Sequence, residues 1–146
     1  MGRISASVAL PYSPERVWRV ATRVEDLPKW LPEVVGAERL DPQLAVGSRA
    51  RLRLSAAAAG AEITAAVTEL VPPRRLVMTG SGGPLGVAVR VSLRTSDGGG
   101  SEATVEMDLD EPPFLGFIAR EAERRLEAGL PDSLRRLRAL IEAEPA

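Results

Sequence analysis

The sequence predicts an α+β fold: a curved antiparallel sheet of six to seven strands around one long C-terminal helix, with two short helices after the first strand. Three observations carry this expectation. Apolar residues recur at every second position through most of residues 34 to 109, they recur at helical spacing after Pro112-Pro113, and Gly- and Pro-rich clusters separate the alternating runs. No repeat, linker or shift of composition divides the 146 residues, so residues 1–146 read as a single domain. A chain of this length buries roughly 68–70% of the surface its unfolded form exposes and needs no disulfide or metal to hold a core.

The first strand alternates Ile4, Ala6, Val8 and Leu10 with Arg3, Ser5, Ser7 and Ala9, and Pro11 ends it. Ser13-Pro14-Glu15 then opens a helix, since serine caps well, proline is tolerated at the first helical position and an early carboxylate complements the helix dipole. This helix is expected to bury Val17, Trp18, Val20 and Ala21. Val24 to Pro32 reads as a second short helix carrying Leu27, Trp30 and Leu31, interrupted by Pro28, which lacks an N–H.

Period two takes over next, in Ala50, Leu52 and Leu54, in Ile63, Ala65 and Val67, and around Leu76 and Met78. The clearest strands are Leu85 to Leu93, apolar at every odd position, and Ala103 to Leu109, where Thr104, Glu106 and Asp108 face away. Ala56 to Gly60 reads as a strand end running into a hairpin, Pro72-Pro73 as a strand break, and Gly80 to Pro84 and Ser96 to Gly100 as turns. The long helix carries a stripe of Phe114, Phe117, Ile118, Ala122, Leu126, Leu130, Leu134, Leu137 and Ile141. Gly129-Leu130-Pro131 falls in its middle, where proline costs about 3 kcal/mol and is expected to kink or break it.

Composition removes much catalytic chemistry. With no histidine and no cysteine there is no imidazole base, thiolate nucleophile or His/Cys metal site, and no metal or other cofactor is expected. Of the 19 basic residues one is lysine, Lys29, set in a polar, proline-flanked stretch unsuited to Schiff-base activation. The carboxylates Asp108, Asp110 and Glu111 match no cation-binding loop. A net charge of -1 argues against nucleic-acid binding. Arg49, Arg51, Arg53, Arg90 and Arg94 alternate with apolar residues, which places them on the outer sheet face within reach of Glu62, Glu106 and Asp108. No apolar run approaches the roughly 20 residues of a membrane span and no apolar block marks a signal peptide, so the expected address is the cytoplasm.

Three segments carry a family resemblance. Ala9 to Trp18 resembles the opening pattern of the START-like (SRPBCC) superfamily, which includes the polyketide cyclase/dehydrase and coenzyme Q-binding groups. Asp26 to Val34 is similar to that superfamily's second-helix signature, and Val67 to Leu76 to its central hairpin. The resemblance implies a helix-grip (START/Bet v 1-like) fold, with an apolar cavity between the concave sheet and the long helix that holds a lipid, polyketide, isoprenoid or other greasy small molecule. Fold alone does not decide among carrier, enzyme and interaction module.

The inward strand positions make Leu52, Leu54, Ile63, Val67, Met78, Val87, Val89, Val91, Val105 and Met107 candidate ligand-binding residues, opposed by Phe114, Phe117 and Ile118 from the long helix. Trp30 borders the same space, whereas Trp18 is expected in the core. Polar candidates are few. Glu121 and Arg125, four apart, would serve as base and oxyanion partner in a cyclase-type enzyme or orient a bound ligand, and Tyr12, the single phenol, is a weak general-acid candidate. Three functions follow: binding of an apolar small molecule, a polyketide cyclase/dehydratase-type reaction, or a ribosome-associated or quinone-chaperone interaction module. The expected partner is an apolar ligand, with no nucleic acid and no integral membrane association, on a monomer or homodimer.

Overall fold

A computed structural model describes residues 2–32, 34–54, 62–82, 85–110 and 116–144; at residues 2, 82, 85, 109–110, 116–123 and 125–126 it describes the backbone. The chain runs β1 (Gly2–Leu10), α1 (Pro14–Ala21), a 3-10 turn (Val24–Asp26), α2 (Leu27–Trp30), β2 (Val34–Arg39), β3 (Arg49–Leu54), β4 (Glu62–Val71), β5 (Arg75–Gly82), β6 (Leu85–Thr95), β7 (Ser101–Asp110) and α3 (Gly116–Ala143). The strands form one antiparallel sheet in the order β1-β7-β6-β5-β4-β3-β2. Strands β2 to β7 are a meander, and β1 crosses over to pair along its whole length with β7. This is the helix-grip, START/Bet v 1-like arrangement.

Alternation decides which face each side chain takes. Ile4, Leu10, Ala50, Ile63, Ala65, Val67, Val91, Leu93, Ala103, Val105 and Met107 are buried on the concave side. The opposite positions carry ion pairs: Arg51–Glu62 at 3.3 Å, Arg90–Asp108 at 2.9 Å, Arg94–Glu102 at 2.5 Å and Arg3–Asp108 at 2.8 Å. Arg49 reaches Asp41 at 3.3 Å instead of a strand neighbour. Register shifts at Val34/Gly36 and Val67/Glu69 add local bends to the sheet.

Gly80 does more than turn the chain. Gly80 and Ser81 continue β5, where the composition reads as a turn, and Gly80 pairs with Ala65. The two backbones approach so closely that a Cβ on Gly80 would lie 2.6 Å from the Thr64 carbonyl oxygen and 2.8 Å from Ala65 Cα. The missing side chain permits this close strand contact.

The helices depart from expectation in three places. Pro28 sits in the first turn of α2 and starts that helix, because the 3-10 turn before it ends at Asp26. Trp18 is only half-buried at the edge of the core, while Trp30 is the fully buried tryptophan. The third is α3, which runs without a break through Pro131. Proline removes the bond to the carbonyl of residue 127, but Glu127 and Pro131 both lie on the exposed face, where water can take that carbonyl. One turn later the Ser133 hydroxyl donates to the Gly129 carbonyl at 3.1 Å. The Ala56–Gly60 run lies outside the described residues.

The C-terminal half of α3 buries Leu130, Leu134, Leu137 and Ile141 against β1, α1 and α2. Its end is fastened by α1. Arg16 donates to the carbonyls of Ile141 and Glu144, both at 3.2 Å, and Arg23 pairs with the Glu144 carboxylate. The Ser13 hydroxyl caps α1 by accepting from Arg16 N at 3.3 Å, as its sequence predicts, and Ser101 Oγ pins the preceding turn by donating to the Tyr12 carbonyl at 2.6 Å.

Candidate ligand-binding site

A cavity of about 120 Å³ lies between the concave sheet face and the short helices. Its sheet wall is built from the inward set of five consecutive strands: Leu52 and Leu54 on β3, Ile63 and Ala65 on β4, Leu76, Met78 and Gly80 on β5, Val87, Val89 and Val91 on β6, and Val105 and Met107 on β7. The opposite wall comes from the end of α1 and the segment after it, through Ala21, Thr22, Val24, Leu27, Trp30, Leu31 and Val34, and Leu44 from the β2–β3 loop closes one side. Small β-branched and alanine side chains, with one glycine, leave this space open where larger residues would fill it.

Most of the residues singled out from the sequence meet here. Trp30, Leu52, Leu54, Ile63, Met78, Val87, Val89, Val91, Val105 and Met107 all line the cavity. Val67 is buried in the core instead and borders a small neighbouring recess of about 20 Å³ beneath the β2–β3 loop. Phe114 lies outside the described residues, as do the side chains of Phe117, Ile118, Glu121 and Arg125, so the described helical wall is that of α1 and α2. Tyr12 stands apart from the cavity lining. Its ring lies under the Arg16 guanidinium at 4.7 Å, and burial, followed by the adjacent Glu142 carboxylate, pushes its phenol above the ordinary value.

Leu44, Thr22 and Val34 escape a periodicity argument because each sits in a loop, at a helix end or at a strand's first position. Leu27 and Leu31 stand out as apolar residues of the second helix, yet only the packed arrangement turns them toward the cavity.

The site is chemically sparse. Among its described lining residues, only Thr22 and Trp30 carry a side-chain oxygen or nitrogen, and none is titratable. The Thr22 hydroxyl donates to the Trp18 carbonyl at 2.7 Å, so its one proton is engaged. The described carboxylates held below their usual range lie outside this lining, each beside an arginine: Asp41 by Arg49, Asp108 by Arg3, Asp132 by Arg135, Glu142 by Arg138 and Glu144 by Arg23. These shifts mark structural ion pairs. Among the described residues no cluster of carboxylates could hold a metal ion, and no helix is long and apolar enough to cross a membrane.

The pattern of the family described as "Polyketide cyclase / dehydrase and lipid transport" matches residues 1–142. The chain belongs to this family. An uncharacterised protein of Mycobacterium tuberculosis is 27% identical over 137 residues, covering 92% of this chain and 95% of the relative. Solved structures share the fold at lower identity. The Zhui aromatase/cyclase from Streptomyces sp. R1128 superposes with a TM-score of 0.79 at 15% identity, covering 97% of this chain and 93% of that one. A START superfamily protein from Mycobacterium smegmatis gives 0.74 at 17% identity over 96% and 97% of the two chains. A Thermus thermophilus protein gives 0.78 at 20% identity over 99% and 100%. The family's START-like superfamily fold is therefore present over nearly the whole chain.

Proposed function

We propose that this protein binds an apolar small molecule of the lipid, polyketide or isoprenoid class in the cavity between its sheet and its helices. The observation that carries the reading is the cavity itself: about 120 Å³ of space lined by aliphatic side chains, two methionines, one tryptophan, one threonine and one glycine, with no titratable group among the described lining residues. That volume is roughly ten times what a single water needs, yet an apolar lining offers water almost no partners, so the space favours an apolar occupant. Proton-moving catalysis needs an acid or base within hydrogen-bond reach of the reacting atom, and the described wall supplies none.

Native mass spectrometry of protein purified from its own host tests the reading, together with thermal shifts across a panel of lipids, polyketides and isoprenoids. A co-purifying apolar molecule and a rise in melting temperature with members of that panel are expected. An empty protein that no member stabilises would sink the proposal. The cyclase alternative has its own test, because Glu121→Gln should abolish turnover of a polyketide precursor if Glu121 is the base.

A further inference from the structure

Ala65 belongs to the sheet wall of the cavity, on the same face of β4 as Ile63 and Val67, and it keeps 5% of its surface accessible. Residues directly opposite one another in an antiparallel ladder share a face. Its neighbours on the cavity side are therefore Ala50 on β3 and Gly80 on β5, which carry a single methyl group between them. The other described lining residues of the sheet have at least one larger neighbour: Ile63 has Leu52 beside it, Met78 has Val67 and Val89, and Val91 has Leu76 and Val105.

Gly80 is bare because of the backbone, since a Cβ there would stand 2.6 Å from the Thr64 carbonyl oxygen. Position 65 lies in a strand where β-branched residues fit well, as Ile63 and Val67 on either side illustrate. Alanine there forgoes the packing that a larger residue would make. Across the strands a larger side chain would meet only the Ala50 methyl, and it would extend over Gly80 into the cavity that both residues 65 and 80 line.

We infer that Ala65 limits the size of the molecule that the cavity admits: its short side chain keeps open the space over the Ala65–Gly80 pair, and the ligand fills it. The inference rests on the proposed binding role and deepens it by assigning the size limit to one residue. Position 65 then sets stability against occupancy, because a side chain that fills the space favours the empty protein and excludes a large ligand.

The test uses the full chain, titrated by calorimetry with 1-hexanol and 1-dodecanol. Ala66→Val is the control, because Ala66 is the next residue of β4 and takes the opposite face. In Ala65→Leu, 1-dodecanol should bind at least about tenfold more weakly, while 1-hexanol stays within about threefold of its affinity for the unaltered chain. Ala65→Val should show the same order with a smaller change, and without ligand it should melt roughly 1–4 °C higher than the unaltered protein. Ala66→Val should leave both affinities as they are. Unchanged affinity for 1-dodecanol in a folded Ala65→Leu chain would overturn the inference and leave the binding role standing. An equal loss for both alcohols, or the same loss in Ala66→Val, would overturn it as well. A lower melting temperature for empty Ala65→Val would show that the space is already filled, with the same result. Where Ala65→Leu fails to fold, Ala65→Val decides; if neither folds, packing fixes this alanine and the inference falls. Failure of both alcohols to bind the unaltered chain also overturns it, and the binding role is then decided by the lipid, polyketide and isoprenoid panel.

Discussion

Replacing Gly80 by alanine adds one methyl group at the tightest approach of β4 to β5. Its Cβ would stand 2.6 Å from the Thr64 carbonyl oxygen, 2.8 Å from Ala65 Cα and 2.9 Å from Ile63 Cγ2. Two of these three neighbours are backbone atoms of a paired strand, so relief requires the strands themselves to separate. Overpacking of this kind costs about 1–3 kcal/mol, partly offset by the 0.4–1 kcal/mol or so that Gly→Ala gains by restricting the unfolded chain. A net loss of about 1–2 kcal/mol is expected, a fall in melting temperature of roughly 2–8 °C for a chain of this size. Gly129→Ala supplies the control. Gly129 lies inside α3, and a Cβ added there would meet nothing within 4 Å, so the same substitution should stabilise by about 0.5–1 kcal/mol. Urea unfolding followed by far-UV circular dichroism measures both. A Gly80→Ala variant as stable as the unaltered protein would refute the argument that this glycine is required by strand contact.

Three further outcomes are expected. Arg16→Met removes both bonds to the last carbonyls of α3 and the stack on Tyr12, and should lower stability by about 1–2 kcal/mol in thermal or urea unfolding. Pro131→Ala restores an N–H to a helix that is already continuous and should raise stability by about 1–3 kcal/mol; a loss would show that proline is needed there. The Asp108 carboxyl is held below its ordinary value first by the hydrogen bond from Arg3, then by Arg90, against an opposing effect of burial. Its folded pKa thus lies below its unfolded value near 3.9, so its contribution is complete above about pH 5 and disappears as pH falls through the folded value. Unfolding free energy should decline on acidification below about pH 5, and Asp108→Asn should flatten that decline in a pH series of urea titrations.

Much of the fold was legible because a sheet covered on one face leaves a period-two record. Val87, Val89 and Val91 announce both strand and facing, and the cavity's sheet wall follows from that parity. The helical wall was harder to read. Leu44 belongs to an aperiodic loop, and its place over the cavity depends on contacts such as Ser48 N to the Ala45 carbonyl and Gly47 N to the Val67 carbonyl, which no local pattern encodes. Trp18 and Trp30 are indistinguishable by composition; their burial differs because α2 is wedged between the sheet and α3, whereas α1 leaves one face at the edge. Proline's effect in α3 depended on which way the orphaned carbonyl faces, and the stripe of apolar residues does not reveal how well solvent reaches the opposite side. Glycine at position 80 reads as a turn because its neighbours are Ser81 and Gly82, while the need for it lies across the sheet in Thr64 and Ala65. That Ala65 has only Ala50 and Gly80 beside it is a property of strand register, which alternation within one strand does not report.

The pairing of β1 with β7 has a consequence for how the chain is made. The Arg3–Asp108 contact spans 105 positions, and the ladder from Gly2↔Leu109 to Leu10↔Ser101 joins the earliest strand to the last. During synthesis at about 5–20 residues per second, β1 must wait roughly 5–20 s before its partner exists. Its apolar residues Ile4, Val8 and Leu10 and its open backbone edge have no native sheet neighbour in that interval. The alternating Arg3, Ser5 and Ser7 keep the other face polar while the nascent strand waits, and the final hairpin β6–β7 then delivers a preformed edge on which it can close. Completion of the sheet is thus a late, long-range event, and folding of this protein is expected to be slower than its helices alone would suggest.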